Sequence, residues 1–272
     1  MNRSRGFRVR RGVMDGVEAV AADTAFSFGR HMHDQFGIGV IVRGAQASLS
    51  GRGVVEAGAG DIITVNPGEV HDGAPIGGGG RCWTMLYLDP ALVSAIVTDL
   101  TDGRLRDAEL TQPVVRDTVA SACFHRLFAA MVPVTPPDVS GMAVQEGLIR
   151  LLGRLMGRDV GAVPQHPVPH AIAQARARID DEPDAALSLD DLAVPCGLSR
   201  YQLLRGFAKA TGLTPHAYMI QRRLQRARRL IAQGTGLAEA AAFSGFADQS
   251  HMTRLFIRTY GLSPGCYAAA VR

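Results

Sequence analysis

The chain has 272 residues, 29 basic and 25 acidic side chains, and four cysteines. That length sets an expectation of two domains; no stretch approaches the roughly 18 apolar residues of a membrane span; and the charged opening MNRSRGFRVRRGVMDG, with no apolar run behind it, does not read as a secretion signal. Cys82, Cys123, Cys196 and Cys266 form no C-x-x-C pair, which argues against a disulfide scaffold or a cysteine zinc finger and for a cytoplasmic setting.

The charge is unevenly spread. Residues 166–272 hold 13 basic and 8 acidic side chains, a balance of +5, whereas residues 1–165 hold 16 and 17. A polyanion would dock on the last third, although arginines on a solvated helix face give the same count. Lys209 is the single lysine beside 28 arginines, which reads as composition bias.

From the front, Arg3, Arg5, Arg8, Arg10 and Arg11 form a basic arm, either a latch or a disordered tail. Residues 20–90 carry short β-branched runs at 38–42, 54–55 and 62–65, separated by glycine and Asn-Pro-Gly turns. Short strands at that spacing predict a small barrel or sandwich, with Gly77–Gly80 as a hairpin tip. Residues 91–157 turn helical. Leu148, Leu151, Leu152 and Leu155 fall on one face, and 118–131 is similarly amphipathic; such a stripe packs on its own domain or forms a dimer seam. The stretch 158–169, with three prolines, is the expected linker.

Residues 170–272 read as helical and contain a repeat. Arg205-x-Phe207 followed by Gly212-Leu213-Thr214-Pro215-x-x-Tyr218 returns 49 residues later as Arg254-x-Phe256 and Gly261-Leu262-Ser263-Pro264-x-x-Tyr267. Each copy has the form of a short helix, a glycine turn at Gly197 or Gly245, and a longer helix capped by Ser199 or Asp248. This is helix-turn-helix grammar. The outward positions mix Arg, Gln, Ser, Thr and Tyr, the side chains that read base edges and phosphates. Between the copies, 215–234 reads as one helix of about 25 Å, able to hold two reading helices about one DNA turn, ~34 Å, apart.

These residues resemble the DNA-binding domain of the AraC/XylS family of bacterial transcriptional regulators over 187–270, including the run Gly245-Phe246-Ala247-Asp248-Gln249-Ser250-His251-Met252-Thr253-Arg254-Leu255-Phe256. By that resemblance the first head contacts DNA through Arg200, Tyr201, Leu204, Arg205 and Lys209, and the second through Gln249, Ser250, Thr253, Arg254 and Arg258. Arg205 and Arg254 could instead form ion pairs within the domain, and the spacer arginines Arg222, Arg223, Arg226 and Arg229 read as salt-bridged or phosphate-facing. Pro195 departs from the pattern: it falls in the expected first helix, where it costs a backbone hydrogen bond.

The segment His31-Met32-His33 … Gly60-Asp61 … Pro67-Gly68-Glu69-Val70-His71 resembles the cupin-like sensory domain of the same family. The implied fold is two-domain: an N-terminal cupin-like β-barrel plus helices (1–157), and an all-α domain with two helix-turn-helix motifs joined by a long helix (170–272). The barrel would bind a small-molecule effector through His31, His33, Arg43, Glu69, His71, Trp83 and Tyr87; Trp83 and Tyr87 either stack on it or fill the core. Enzymatic cupins carry a Glu soon after the H-x-H, and here Asp34 to Ile38 supply none, so no metal, cofactor or catalytic residue is expected. The expected protein is a cytoplasmic, ligand-responsive regulator and not an enzyme. Its expected partners are double-stranded DNA, an effector, a second copy in a homodimer, and RNA polymerase, with no membrane. The alternative is a metal-dependent cupin enzyme with a helical appendage.

Overall fold

The computed structural model describes residues 6–101, 103–105, 108–132, 141–156 and 168–271. The chain divides into two compact units, the first of residues 1–29 and 33–163 and the second of residues 30–32 and 164–270. Most of the expected linker, 158–167, lies outside the described residues. Among the described residues no helix is long and apolar enough to cross a membrane.

Ten strands form among the described residues: β1 (Gly6–Arg11), β2 (Val17–Thr24), β3 (Phe28–His31), β4 (Phe36–Arg43), β5 (Ala45–Ser50), β6 (Gly53–Gly58), β7 (Ile62–Val65), β8 (His71–Pro75), β9 (Arg81–Leu88) and β10 (Val114–Val115). They form a six-stranded sheet in the order β1-β2-β9-β4-β7-β10 and a four-stranded sheet in the order β3-β8-β5-β6. The β-branched runs become β4, β6 and β7, and the four-glycine run joins β8 to β9.

Period-two alternation sorts the large sheet's side chains. On β9, Leu86 and Leu88 join one apolar cluster, while Trp83 and Met85 join another with Ile41, Ala57 and Ile63. A Cβ on Gly39 of β4 would stand 2.6 Å from Met85 Sδ and 2.6 Å from the Thr84 carbonyl oxygen, so only glycine lets β9 approach there.

The basic arm is neither latch nor tail over its described part. Arg8, Arg10 and Arg11 lie in β1, an edge strand paired with β2 from Gly6↔Asp23 to Arg11↔Glu18. Alternation explains it: Val9 is buried, and Phe7 meets Phe28 and Trp83 edge-on at 5.6 and 5.8 Å. Arg3 and Arg5 lie outside the described residues.

Helices α1 (Pro90–Leu100), α2 (Thr118–Met131) and α3 (Gly141–Met156) pack in the cluster formed by Phe36, Ile38, Val40, Leu86 and Leu88. Asp117 caps α2, accepting from the Val119 and Ala120 amides, and its carboxylate also takes both Nε (2.6 Å) and Nη2 (3.1 Å) of Arg154 on α3. Leu148, Leu151 and Leu152 are fully buried in this core, each worth about 1.5–3 kcal/mol of transfer energy. That answers the stripe: its leucines are spent within their own domain and cannot form a dimer seam.

The second unit is helical: α4 (His170–Asp181), α5 (Leu189–Ala193), α6 (Arg200–Thr211), α7 (Pro215–Ala232), α8 (Leu237–Phe243), α9 (Gln249–Tyr260) and α10 (Pro264–Val271). Pro195 corrects its sequence reading. The α5 helix ends at Ala193, and Pro195 lies in a single 3-10 turn, Val194–Cys196, before Gly197 turns left-handed at φ 65°. Exposed near the start of that turn, the proline breaks no α-helical bond.

Candidate nucleic-acid interface and barrel site

The first helix-turn-helix is α5 and α6. Ser188 and Asp191 close a capping box on α5, and Ser199 and Gln202 close one on α6. The inner face of α6 is Leu203 and Phe207, both fully buried, with Phe207 edge-on to Tyr218 at 5.4 Å. Its other face carries Tyr201, 70% exposed, with Arg205 and Lys209 exposed and Leu204 half-buried.

The second copy is α8 and α9. Gly245 makes the turn at φ 77°, and Asp248 caps α9 by accepting from the His251 amide. Met252 and Phe256 are fully buried, while Gln249, Ser250, Arg254 and Arg258 are exposed and Thr253 is half-buried. The two faces superpose in sequence. Positions 200, 201, 204, 205 and 209 of α6 recur 49 residues on as 249, 250, 253, 254 and 258 of α9. At spacings of one, four, five and nine, each set lines one stripe of its helix.

Between them stands α7, 18 residues and therefore about 27 Å long. Its arginines hold the domain together. Arg222 pairs with Asp180 at 2.8 Å and Arg226 with Asp184 at 2.5 Å. Arg223 donates to the carbonyls of Pro183, Ala185 and Gly245, which ties the second turn to the α4–α5 loop. Arg228 lies over the Tyr260 and Tyr267 rings.

The expected DNA-contacting residues divide in the same way. Arg200 is bound to Asp190 of α5, and this hydrogen bond holds the Asp190 carboxyl below its ordinary range. Among the described residues, Arg205, Lys209, Arg229, Arg254 and Arg258 have no carboxylate partner. Among those residues, the ion pairs considered for Arg205 and Arg254 do not form.

The ring nitrogens of His31, His33 and His71 lie within 4.8 Å of one another. Tyr87 joins them, its ring 4.9 Å from that of His33, which is 5.1 Å from His71. His71 Nδ1 lies 3.1 Å from the Glu69 carbonyl oxygen; with its proton there, Nε2 is the acceptor nitrogen. Burial pushes the His71 pKa down, against the Glu69 bond, so the ring is held neutral. Three imidazoles so placed can bind a polar ligand or serve as nitrogen donors to a late divalent ion with open positions.

The other expected effector residues are elsewhere. Arg43 is exposed and paired with Asp23 at 2.7 Å. The Glu69 carboxylate is taken up by the amides of Asn66 and Gly51 and the Asn66 side chain, which fastens the corner before His71. Trp83 is buried against Phe7 and Phe28. Sequence reasoning missed Arg81, the largest fully buried side chain of the unit. The signal was available: Arg81, Trp83, Met85 and Tyr87 share one parity on a strand.

Comparison with known proteins follows this division. A family model described as an AraC-like ligand binding domain matches residues 16–152, and one described as a helix-turn-helix domain matches 192–270. An uncharacterised HTH-type transcriptional regulator, YbfI of Bacillus subtilis, is 29% identical over 229 residues, covering 83% of this chain and 81% of its own. The transcriptional activator NphR of Rhodococcus is 29% identical over 63% of this chain and 53% of its own. The crystal structure of ToxT from Vibrio cholerae O395 shares the fold, with a TM-score of 0.59 at 10% identity over 98% of each chain.

Proposed function

The chain belongs to the AraC family of transcriptional regulators, a ligand-binding domain followed by a helix-turn-helix DNA-binding domain, and on that premise we propose how its residues divide the work. The two heads read DNA through one stripe each: Tyr201, Leu204, Arg205 and Lys209 on α6, and Gln249, Ser250, Thr253, Arg254 and Arg258 on α9. Arg205 and Arg254 are the base-reading arginines, since a guanidinium can grip guanine bidentately. Arg200 is a positioning residue held by Asp190. The observation that carries this reading is the pair of exposed polar stripes, matched at an offset of 49 residues, whose arginines at 205, 254 and 258 have no carboxylate partner among the described residues.

The barrel is the sensor. An effector bound there biases a two-state arrangement and so changes how the heads engage DNA. The protein acts in the cytoplasm as a homodimer and meets RNA polymerase on the promoter. Because the leucine stripe is spent internally, the dimer uses other faces of the helices, where Val119 and Ile149 are exposed. Its role is regulatory and not enzymatic.

The test is selection of a binding site from random DNA, followed by footprinting. Two protected segments about one helical turn apart are expected; one segment, or none, would overturn the paired-head reading. The histidine cluster favours a second reading, a metal-dependent barrel enzyme, for which elemental analysis of the purified protein would find stoichiometric iron, zinc or manganese.

A further inference from the structure

His31 closes β3 and His71 opens β8, and these strands are neighbours in the four-stranded sheet. His33 follows two residues on, on the same side of an extended chain as His31. His31 and His33 are buried, whereas His71 is half-buried and keeps part of its surface in solvent. Among the described residues, this is the one group of three or more His, Cys, Asp or Glu side chains placed to share an ion.

The spacing suits a shared ion. Nitrogens bound at about 2.1 Å to a tetrahedral centre stand about 3.4 Å apart, and the centres of their rings roughly 5 Å apart. The His33 and His71 ring centres are 5.1 Å apart. The donor nitrogens lie within 4.8 Å of one another, and rotation about the broad χ2 well of an imidazole draws them in. His71 Nδ1 lies 3.1 Å from the Glu69 carbonyl oxygen. A ring fastened to a backbone carbonyl through one nitrogen is oriented to ligate through the other. The corner that carries it is held before any ligand arrives: the Gly68 amide donates to the His33 carbonyl at 2.7 Å, and the Glu69 carboxylate accepts from the amides of Asn66 and Gly51.

The sequence argument against a metal rests on the absent glutamate of enzymatic cupins. Three imidazoles with one open position are nonetheless a sufficient tetrahedral set. Neutral nitrogen donors suit late first-row ions such as Zn²⁺, Co²⁺ and Ni²⁺, whereas Mg²⁺ and Ca²⁺ require oxygen ligands that these three residues do not supply.

We propose that His31, His33 and His71 bind one late divalent ion, and that this ion is the effector. Bound, it ties the end of β3 to the start of β8, so the ion-bound and ion-free barrels are two distinct states. The inference rests on the sensor reading of the barrel and names its ligand.

The experiment takes the full chain stripped with EDTA and adds ZnCl₂, CoCl₂ or MgCl₂. Zn²⁺ at a hundredfold excess over its Kd should raise the melting temperature by about 5 °C or more. Co²⁺ should give the visible absorption of a tetrahedral complex, saturating at one ion per chain and bleached by Zn²⁺; Mg²⁺ should do nothing. Affinity for the selected DNA site should change at least about fivefold with Zn²⁺. His33→Gln and His71→Gln should each weaken Zn²⁺ binding more than about tenfold, since even the loss of a ligand's supporting hydrogen bond costs that much. His125→Gln, exposed on α2, should change nothing. Melts in EDTA show that a variant is folded, and the Co²⁺ spectrum of the wild-type chain needs no variant. The proposal is overturned if Co²⁺ keeps the spectrum of the free aqueous ion, if Mg²⁺ acts as Zn²⁺ does, if His71→Gln binds Zn²⁺ as wild type does, or if the bound ion leaves DNA affinity unchanged. DNA binding in EDTA tests the regulator reading by itself, so intact DNA binding with no response to the ion removes this proposal alone.

Discussion

Replacing single arginines should separate those that meet DNA from those that hold the domain, and the salt dependence of affinity reads the difference. Each phosphate neutralised on B-DNA contributes about −0.9 to the slope of log K against log salt. Five cations, Arg205, Lys209, Arg229, Arg254 and Arg258, have no carboxylate partner among the described residues. If all five met phosphates the slope would be about −4.5 per chain, a loss of roughly 500-fold between 50 and 200 mM salt. With Arg205 and Arg254 assigned to bases, three remain and the slope is about −2.7, or about −5 for a dimer. Fluorescence anisotropy on a labelled duplex carrying the selected site measures it. Arg258→Ala should reduce the slope by about 1. Arg254→Ala should cost about 1–3 kcal/mol on the specific site and far less on random DNA. Arg226→Ala, whose guanidinium is engaged by Asp184, should leave the slope unchanged while lowering the melting temperature. A flat response, or equal slope losses from Arg226→Ala and Arg258→Ala, would refute this division of the charges.

Three further outcomes are expected. Asp117 is held down to about 2, first by its hydrogen bond to Arg154 and then by the amides it caps, with burial opposing; its contribution is therefore present above about pH 4 and lost as pH falls towards 2, and Asp117→Asn should remove about 1–2 kcal/mol of neutral-pH stability together with that pH dependence, read by urea melts. Gly245→Ala places a Cβ 2.7 Å from the Asp184 α-carbon at a φ of 77°, whereas Gly197→Ala at φ 65° meets nothing within 4 Å; the first should cost more than about 2 kcal/mol and weaken the second head, the second about 1 kcal/mol. Pro195→Ala should change stability by less than about 1 kcal/mol, because the proline interrupts no α-helical bond.

The helical unit was the more legible part of the chain. Leu203, Phe207, Met252 and Phe256 recur at helical spacing, and each is fully buried; the capping residues Ser188, Ser199 and Asp248 all cap. Local rules suffice there because turns and caps are set by residues within four positions of one another. The barrel was legible where β-branched residues run together, in β4, β6 and β7. β4 and β7 are continuous apolar runs, while β2, β3 and β5 carry Ala, Ser, Gly and polar residues, and their pairing across 20 to 70 residues has no local signature. In the barrel site, His31, His33 and His71 lie together as the family resemblance implied, but Arg43 and Glu69 found nearer partners, and which partner a surface charge finds depends on residues distant in sequence.

Arginine shows why composition alone could not separate these roles. The chain has 28 of them and one lysine, and the structure assigns the same side chain to different tasks according to what faces it. Opposite Asp117, Asp180, Asp184 or Asp190 it is a structural tie, and its charge is cancelled before a ligand arrives. On the outer stripes of α6 and α9 it stays uncompensated in water, where a free cation costs little and long-range attraction to phosphate is retained. At Arg81 it is buried, and three carbonyl acceptors with the Trp83 ring stand where a carboxylate would. A net charge of +4, 29 basic less 25 acidic side chains, does not distinguish those classes. The informative quantity is the number of guanidiniums without a carboxylate and the burial of each, and those two properties mark the reading helices as the candidate polyanion surface.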